Sequence, residues 1–286
     1  MPRLGSNRYG KAEVRVLRVS RGSERDALRD WNVSSSLSGD LGAVHLSGDN
    51  GHVLPTDTQK NTVYAFAQRL GDVEPEAFAL ALGEHFVGSQ PPITRARIAV
   101  EQYGWRPGPA GHSFVRDGGE VRTTTVVHDE TLGTTVVSGI DDLVLLNTTN
   151  SEFWGFVKDE LTTLPETRDR ILATQVSVRW RFRSTAVDWA AAHDAAREAL
   201  LAAFADTYSY SLQQTLYAMG TRILGAVGDI CEVRLTLPNK HHFLVDLAPF
   251  DLVNDNEVYL AADRPYGLIE GTVLADDADE APLAWS

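Results

Sequence analysis

From residue 9 to 19 apolar and polar positions alternate, Val14 and Val16 against Glu13, Arg15 and Arg18, the period-two signature of a strand with one buried face. Trp31, Val33 and Leu37 continue it, so the chain opens as a hairpin turning at Arg21-Gly22-Ser23. Past the turn cluster Gly48-Asp49-Asn50-Gly51 the period lengthens. Val63, Phe66, Ala67 and Leu70 fall on one face of a helix beginning near Thr58, with Thr56 or Asp57 as its cap. Phe78, Leu82, His85 and Phe86 mark a second helix from Glu74 to Phe86, with Pro75 in its first turn. Strands return at Ile93 to Tyr103, Val121 to His128, Thr134 to Val137 and Leu143 to Leu146. Arg106 to Gly111 reads as a loop and Asp117-Gly118-Gly119 as a hairpin turn.

The plan then repeats. Val176, Val178, Trp180 and Phe182 share one face of a strand whose other face carries Arg179, Arg181 and Arg183. Residues 188 to 205 form an Ala-rich amphipathic helix and Ser211 to Leu224 another. Strands follow at Cys231 to Leu237, His242 to Leu247, Val258 to Leu260 and Leu268 to Leu274. Paired strands, helices, then strands, twice over, argue for an α+β duplication with modules at 1–140 and 141–275 and an acidic, mobile tail at 276–286. The repetition is one of element order, since no self-similarity of sequence is visible.

Composition narrows the class. The chain has 286 residues, ample for one large or two smaller cores, and a single cysteine, Cys231, which rules out an internal disulfide framework and leaves no cysteine pair for zinc. No early apolar run follows Met1, and no window approaches the roughly 20 apolar residues of a membrane span. With 26 basic against 39 acidic residues the net charge is −13, which argues against a nucleic-acid partner. The histidines at 45, 52, 85, 112, 128, 193, 241 and 242 lack metal-ligand spacing, and no dinucleotide-binding glycine motif follows a strand.

The richest chemistry lies between Asn150 and Thr174, where Phe153, Trp154, Gly155 and Phe156 precede Thr162-Thr163 and then Asp169-Arg170. Phe stacks on a flat ring, and Arg grips an acidic ring edge with two parallel donors. The alternative is that the aromatics are core and Arg170 pairs with Asp169 or Glu166. Lys11 after Gly10 reads as a surface charge or, if a site keeps it neutral, a base. Thr56 reads as a helix cap or a hydroxyl that relays a proton. Asn239 and His241 flank Lys240, so in an extended segment they face one way while Lys240 and His242 face the other, unless Pro238 begins a turn.

Phe153 with Arg170 seventeen residues on resembles the signature region of the urate oxidases, or uricases. Four further segments are similar to that family in the same order: Tyr9-Gly10-Lys11, Thr56-Asp57-Thr58-Gln59-Lys60-Asn61-Thr62, Leu212-Gln213-Gln214-Thr215 and Leu237-Pro238-Asn239-Lys240-His241-His242-Phe243. The resemblance spans nearly the whole chain.

It implies the tunnelling fold (T-fold), two antiparallel-sheet-plus-helices modules per chain that assemble around a hollow barrel whose passage the row of arginines would face. It implies a homotetramer with sites at subunit interfaces, and oxidation of urate by dioxygen and water to 5-hydroxyisourate and hydrogen peroxide with no metal or flavin. Lys11, Thr56 and His241 would handle protons. Phe153, Arg170 and Gln213 would hold urate, with Thr56 and the backbone N–H groups of Asp57 and Leu212, while Asn239 positions dioxygen or water. The ending Leu283-Ala284-Trp285-Ser286 lacks the peroxisomal address of many eukaryotic uricases, which favours a bacterial cytoplasmic protein. Two alternatives stand beside this reading: another purine- or pterin-transforming enzyme of the same fold, and a relative that binds purines without turning them over. Metal analysis separates the first, and loss of Lys11 or Thr56 would have marked the second.

Overall fold

The computed structural model describes residues 2–285. All eight strands join one antiparallel sheet in chain order: β1 (Tyr9–Ser20), β2 (Ala27–Gly39), β3 (Ile93–Pro107), β4 (Phe114–Asp129), β5 (Gly133–Asn147), β6 (Leu172–Phe182), β7 (Ile230–Leu244) and β8 (Tyr259–Leu274). Between β2 and β3 lie α1 (Gly42–Leu46), α2 (Thr56–Leu70) and α3 (Pro75–Ser89); between β6 and β7 lie α4 (Trp189–Asp206) and α5 (Leu212–Ala226). The long helices cover one face, and a continuous core containing Trp31, Phe78, Phe86, Trp180, Leu200 and Met219 fills the space between the layers. The class is α+β, as the alternation and helical spacing require.

The two β-β-α-α-β-β runs meet at the β4–β5 turn, residues 130–132, so a division between residues 140 and 141 falls within β5. Several strands read as separate are continuous. Residues 134–137 and 143–146 both belong to β5, residues 231–237 and 242–244 to β7, and residues 259–260 and 268–274 to β8. In each case a change of register breaks the alternation without ending the strand: between Ile140 and Leu143, where Asp142 has φ 61°, and between Asn239 and His241. Asp117-Gly118-Gly119 is not a hairpin turn. These residues are the surplus of β4 where Tyr103 pairs with Val121 but Trp105 pairs with Arg116, and the reversal comes at Gly108–Ser113 instead. The short α1 was not expected. Helix α2 begins at Thr56 after Pro55, with no side-chain cap, so the capping reading of Thr56 and Asp57 fails. Helices α4 and α5 are capped by Asp188 and Ser211.

The arginines opposite the helices are neither a bare solvated face nor open to a passage within one chain. Arg179 grips Asp141 through both terminal nitrogens, at 2.9 and 2.6 Å, and buried Arg181 donates to Glu232. Arg183 pairs with Asp277, Arg181 also reaches the Asp279 carbonyl, and Trp285 lies 3.7 Å beneath the Arg234 guanidinium. The tail expected to be mobile thus lies docked along this row.

Candidate active site

Six of the residues singled out above converge on one pocket of about 540 Å³: Phe153, Arg170, Leu212, Gln213, Asn239 and His241. Its wall begins with the segment between β5 and β6, where Asn150 takes a left-handed conformation at φ 59° and the chain folds back on itself. Phe153 and Thr167 exchange both backbone hydrogen bonds at 2.9 Å, the Arg170 N–H reaches the Ser151 carbonyl, and Ser209 joins Asn150 and Glu152. This small irregular ribbon explains why the stretch matched neither periodicity.

Arg170 pairs with neither Asp169 nor Glu166. Its Nε donates to the Ser151 hydroxyl at 3.1 Å, Thr149 occupies Asp169, and Lys158 occupies Glu166. Anchoring through Nε leaves the outer edge of the guanidinium, the edge suited to bidentate recognition, toward the pocket. Burial alone lowers the Arg170 pKa, so the charge is held at a cost that an anionic partner would offset. The guanidinium carbon is 5.1 Å from the centre of the Phe153 ring, which stacks on Phe156 at 5.0 Å and 17°. Phe153 is therefore partly exposed pocket wall, not core. Trp154 lies on the surface beneath Arg168.

Leu212 and Gln213 open α5. The Ser211 hydroxyl caps Gln214 N–H at 3.2 Å, and the first-turn N–H groups of Leu212 and Gln213 have no intrahelical partner, which suits an anion. Asn239 and His241 come from the point where β7 leaves register with β8. That irregularity brings His242 into the lining as well, against the expectation that it faces away, and β7 runs straight through Pro238 with no turn there. Burial first, then Arg170 and His242, lowers the His241 pKa from 6.5, so the ring is neutral at neutral pH.

None of Lys11, Thr56 and Asp57 lines this pocket. They form a second cluster at the opposite edge of the sheet. Lys11 stands where β1 leaves register with β2, next to Gly10, whose Cβ would come within 1.8 Å of the Ser35 carbonyl oxygen. Thr56 and Asp57 begin α2, so Asp57 also offers a first-turn N–H. The Asp57 carboxylate is held below its ordinary pKa by the hydrogen bond from Lys60, with Lys11 contributing a weaker attraction that marks it as a neighbour. The strand order puts β1 and β7 six spacings apart, roughly 29 Å along the sheet. His241 therefore does not meet Lys11 and Thr56 through one chain's own sheet.

Sequence reasoning missed Ser151, although it sits inside the motif with Phe153, because nothing in a sequence shows a buried serine facing an arginine. It also missed Ile171, Phe243 and Tyr259 in the lining, since apolar residues at strand ends read as core. Among the described residues no three His, Cys, Asp or Glu side chains converge as a metal ion would need, and no helix is long and apolar enough to cross a membrane.

Residues 7–127 and 136–270 match the family described as Uricase. The chain belongs to the uricase family. A uricase from Arthrobacter globiformis is 49% identical over 286 residues, 99% of this chain and 93% of that protein, and one from Dictyostelium discoideum is 37% identical over 96% of this chain and 98% of its own. The crystal structure of the Arthrobacter globiformis uricase superposes with a TM-score of 0.96 at 48% identity, covering 100% of this chain and 99% of that one. The sheet with its helical layer is the T-fold of this family.

Proposed function

We propose that the pocket holds urate and that Lys11, Thr56 and Asp57 reach it from a second copy of the chain. The protein is a urate oxidase, converting urate, dioxygen and water to 5-hydroxyisourate and hydrogen peroxide. The observation that carries the site reading is the division of the candidate residues: a pocket with Phe153, a desolvated Arg170 and two helix-start N–H groups at one edge of the sheet, and a lysine beside a helix start at the other. A homotetramer joining these edges, each half of the chain serving as one module of a shared barrel, completes the site twice per pair.

Phe153 stacks on the purine, Arg170 and Gln213 bond its polar edge, and the Leu212 and Asp57 N–H groups complete the grip. Lys11 and Thr56 take the proton whose loss leaves an electron-rich urate dianion, with the neutral His241 linked to them. The dianion gives two electrons to dioxygen held by Asn239, the protons complete hydrogen peroxide, and water supplies the added hydroxyl. Because the deprotonated purine is itself the reductant, the reading calls on no metal or flavin. The positive centre at Arg170 answers the problem an anionic substrate meets at a protein of net charge −13. Lone, buried Cys231 and the bacterial relative support a cytoplasmic location.

The test follows loss of urate absorbance with peroxide release in the presence of a chelator. Turnover that persists supports the reading, and turnover abolished by the chelator and restored by a metal overturns its cofactor-free form.

A further inference from the structure

Gln59, the fourth residue of α2, lies on the same helical face as Val63 and Ala67 and is completely buried. A polar amide on that face is costly unless its bonds are made, and both ends are engaged. Its Oε1 accepts from the Ser35 hydroxyl at 2.8 Å, and its Nε2 donates to the Leu54 carbonyl at 3.3 Å.

What these partners touch gives the amide its meaning. Ser35 is the cross-strand partner of Lys11, and its hydroxyl oxygen accepts the Lys11 backbone N–H at 3.4 Å where β1 leaves register. Leu54 stands two residues before Thr56, and the Tyr9 hydroxyl holds it twice, accepting its N–H at 2.8 Å and donating to its carbonyl at 3.1 Å. One buried side chain thus ties the strand irregularity that carries Lys11 to the turn that launches Thr56 and Asp57. The helix start has no side-chain cap of its own to fix it.

We infer that Gln59 is a positioning residue for proton transfer: through Ser35 and Leu54 it sets the placement of Lys11 relative to Thr56. The inference rests on the proton-handling role proposed for those two residues. A methionine of similar volume would fill the space without either bond, leaving both segments attached to the fold but unlinked. Proton transfer is steep in distance, and a displacement of about 1 Å can cost a hundredfold. Purine binding depends chiefly on the cluster at the other edge of the sheet and is far less exposed to such a shift.

Gln59→Met and Ser35→Ala are made singly and together in the full chain, with Lys11→Met as reference, and read by kcat and by urate affinity measured without oxygen. We expect each single variant to lose roughly ten- to a hundredfold in kcat, with urate affinity within threefold of the parent. The double variant should be no more than about twofold slower than the worse single one, because both changes cut the same linkage. Two independent packing defects would instead multiply. If Gln59→Met does not fold, Ser35→Ala, which removes one small group, decides alone. Turnover within twofold of the parent in the folded variants, while Lys11→Met is slow, overturns this inference and leaves the proposed site intact. Parent-like turnover in Lys11→Met overturns the site reading itself.

Discussion

The two halves of the sheet repeat the same irregularities and use them differently. In β1 the register breaks between Lys11 and Val14 with Glu13 at φ 58°; in β5 it breaks between Ile140 and Leu143 with Asp142 at φ 61°. Each break follows a glycine pressed against the neighbouring strand's carbonyl, Gly10 at 1.8 Å and Gly139 at 2.0 Å for the Cβ they lack. The first carries half-buried Lys11 on an edge strand, and the second carries Ile140, fully buried. A second pair lies at Tyr103–Trp105 and Asn239–His241, and there the roles reverse. Asn239 and His241 line the pocket, whereas the first-half position is closed: Trp105 Nε1 and Arg116 reach buried Asp30 at 3.0 and 3.2 Å, Arg15 also pairs with it, and both arginines lie over the Tyr103 ring at 4.5 and 4.3 Å. The difference follows from the connections. Residues 21–26 join β1 to β2 tightly, while residues 148–171 join β5 to β6 with enough chain to build a wall. A duplicated geometry offers each device twice, and the side chains placed there keep one copy of each.

If the two halves are complementary, mixing should reveal it most strongly. Lys11→Met and Arg170→Ala chains, each inactive alone, should regain turnover when dissociated and reassembled together, because some hybrid sites draw both intact halves. A reassembled mixture with no turnover would place both residues in one chain's site. Alone, Lys11→Met should lose about 10²–10⁴-fold in kcat with urate affinity largely kept, since a base acts on the barrier. A parent-like rate would leave the β1 irregularity without a catalytic use.

Arg170→Lys keeps the charge but loses the planar fork. It should weaken urate binding by roughly 1.5–3 kcal/mol, about ten- to a hundredfold, by equilibrium binding without oxygen. The closed first-half counterpart should respond in stability instead. Asp30→Asn, in place of a buried carboxylate with three donors, should cost about 1–3 kcal/mol in denaturation with urate affinity unchanged. A change in affinity there would show that the two positions are not divided as described.

The smallest effect concerns His241. Its folded pKa is depressed by burial, Arg170 and His242, so the folded chain takes up this proton less readily than the unfolded one. Any stability linked to it is intact above pH 6.5 and falls as pH drops below that value. Titration of the ring by NMR should show a midpoint below 6.5, moving upward in Arg170→Ala, where a repelling charge is gone. An unmoved midpoint would separate His241 from Arg170.

Apolar periodicity and turn residues sufficed for the four long helices and for where strands occur, though they split β5, β7 and β8 in two, because alternation and 3.6-residue spacing are imposed locally by the need to bury one face. The motif residues from Phe153 to His241 were picked out by resemblance to the urate oxidases, since residue type alone left Phe153 and Arg170 open between a stacking site and a packed core; the fold brings them to one pocket. What sequence could not show is everything that depends on register. Asp117-Gly118-Gly119 has the composition of a turn, yet it is the unpaired surplus of a continuous β4, and Thr56 has the composition of a cap, yet Pro55 takes the position before the helix. Gln59 and Ser151 are buried polar residues, and Ser35 and Arg170, which they bond, lie 24 and 19 residues away. Only the packing of α2 on the sheet brings Ser35 to Gln59, and only the ribbon between β5 and β6 brings Arg170 to Ser151, because partners distant in sequence are chosen by register and packing, which no local pattern encodes.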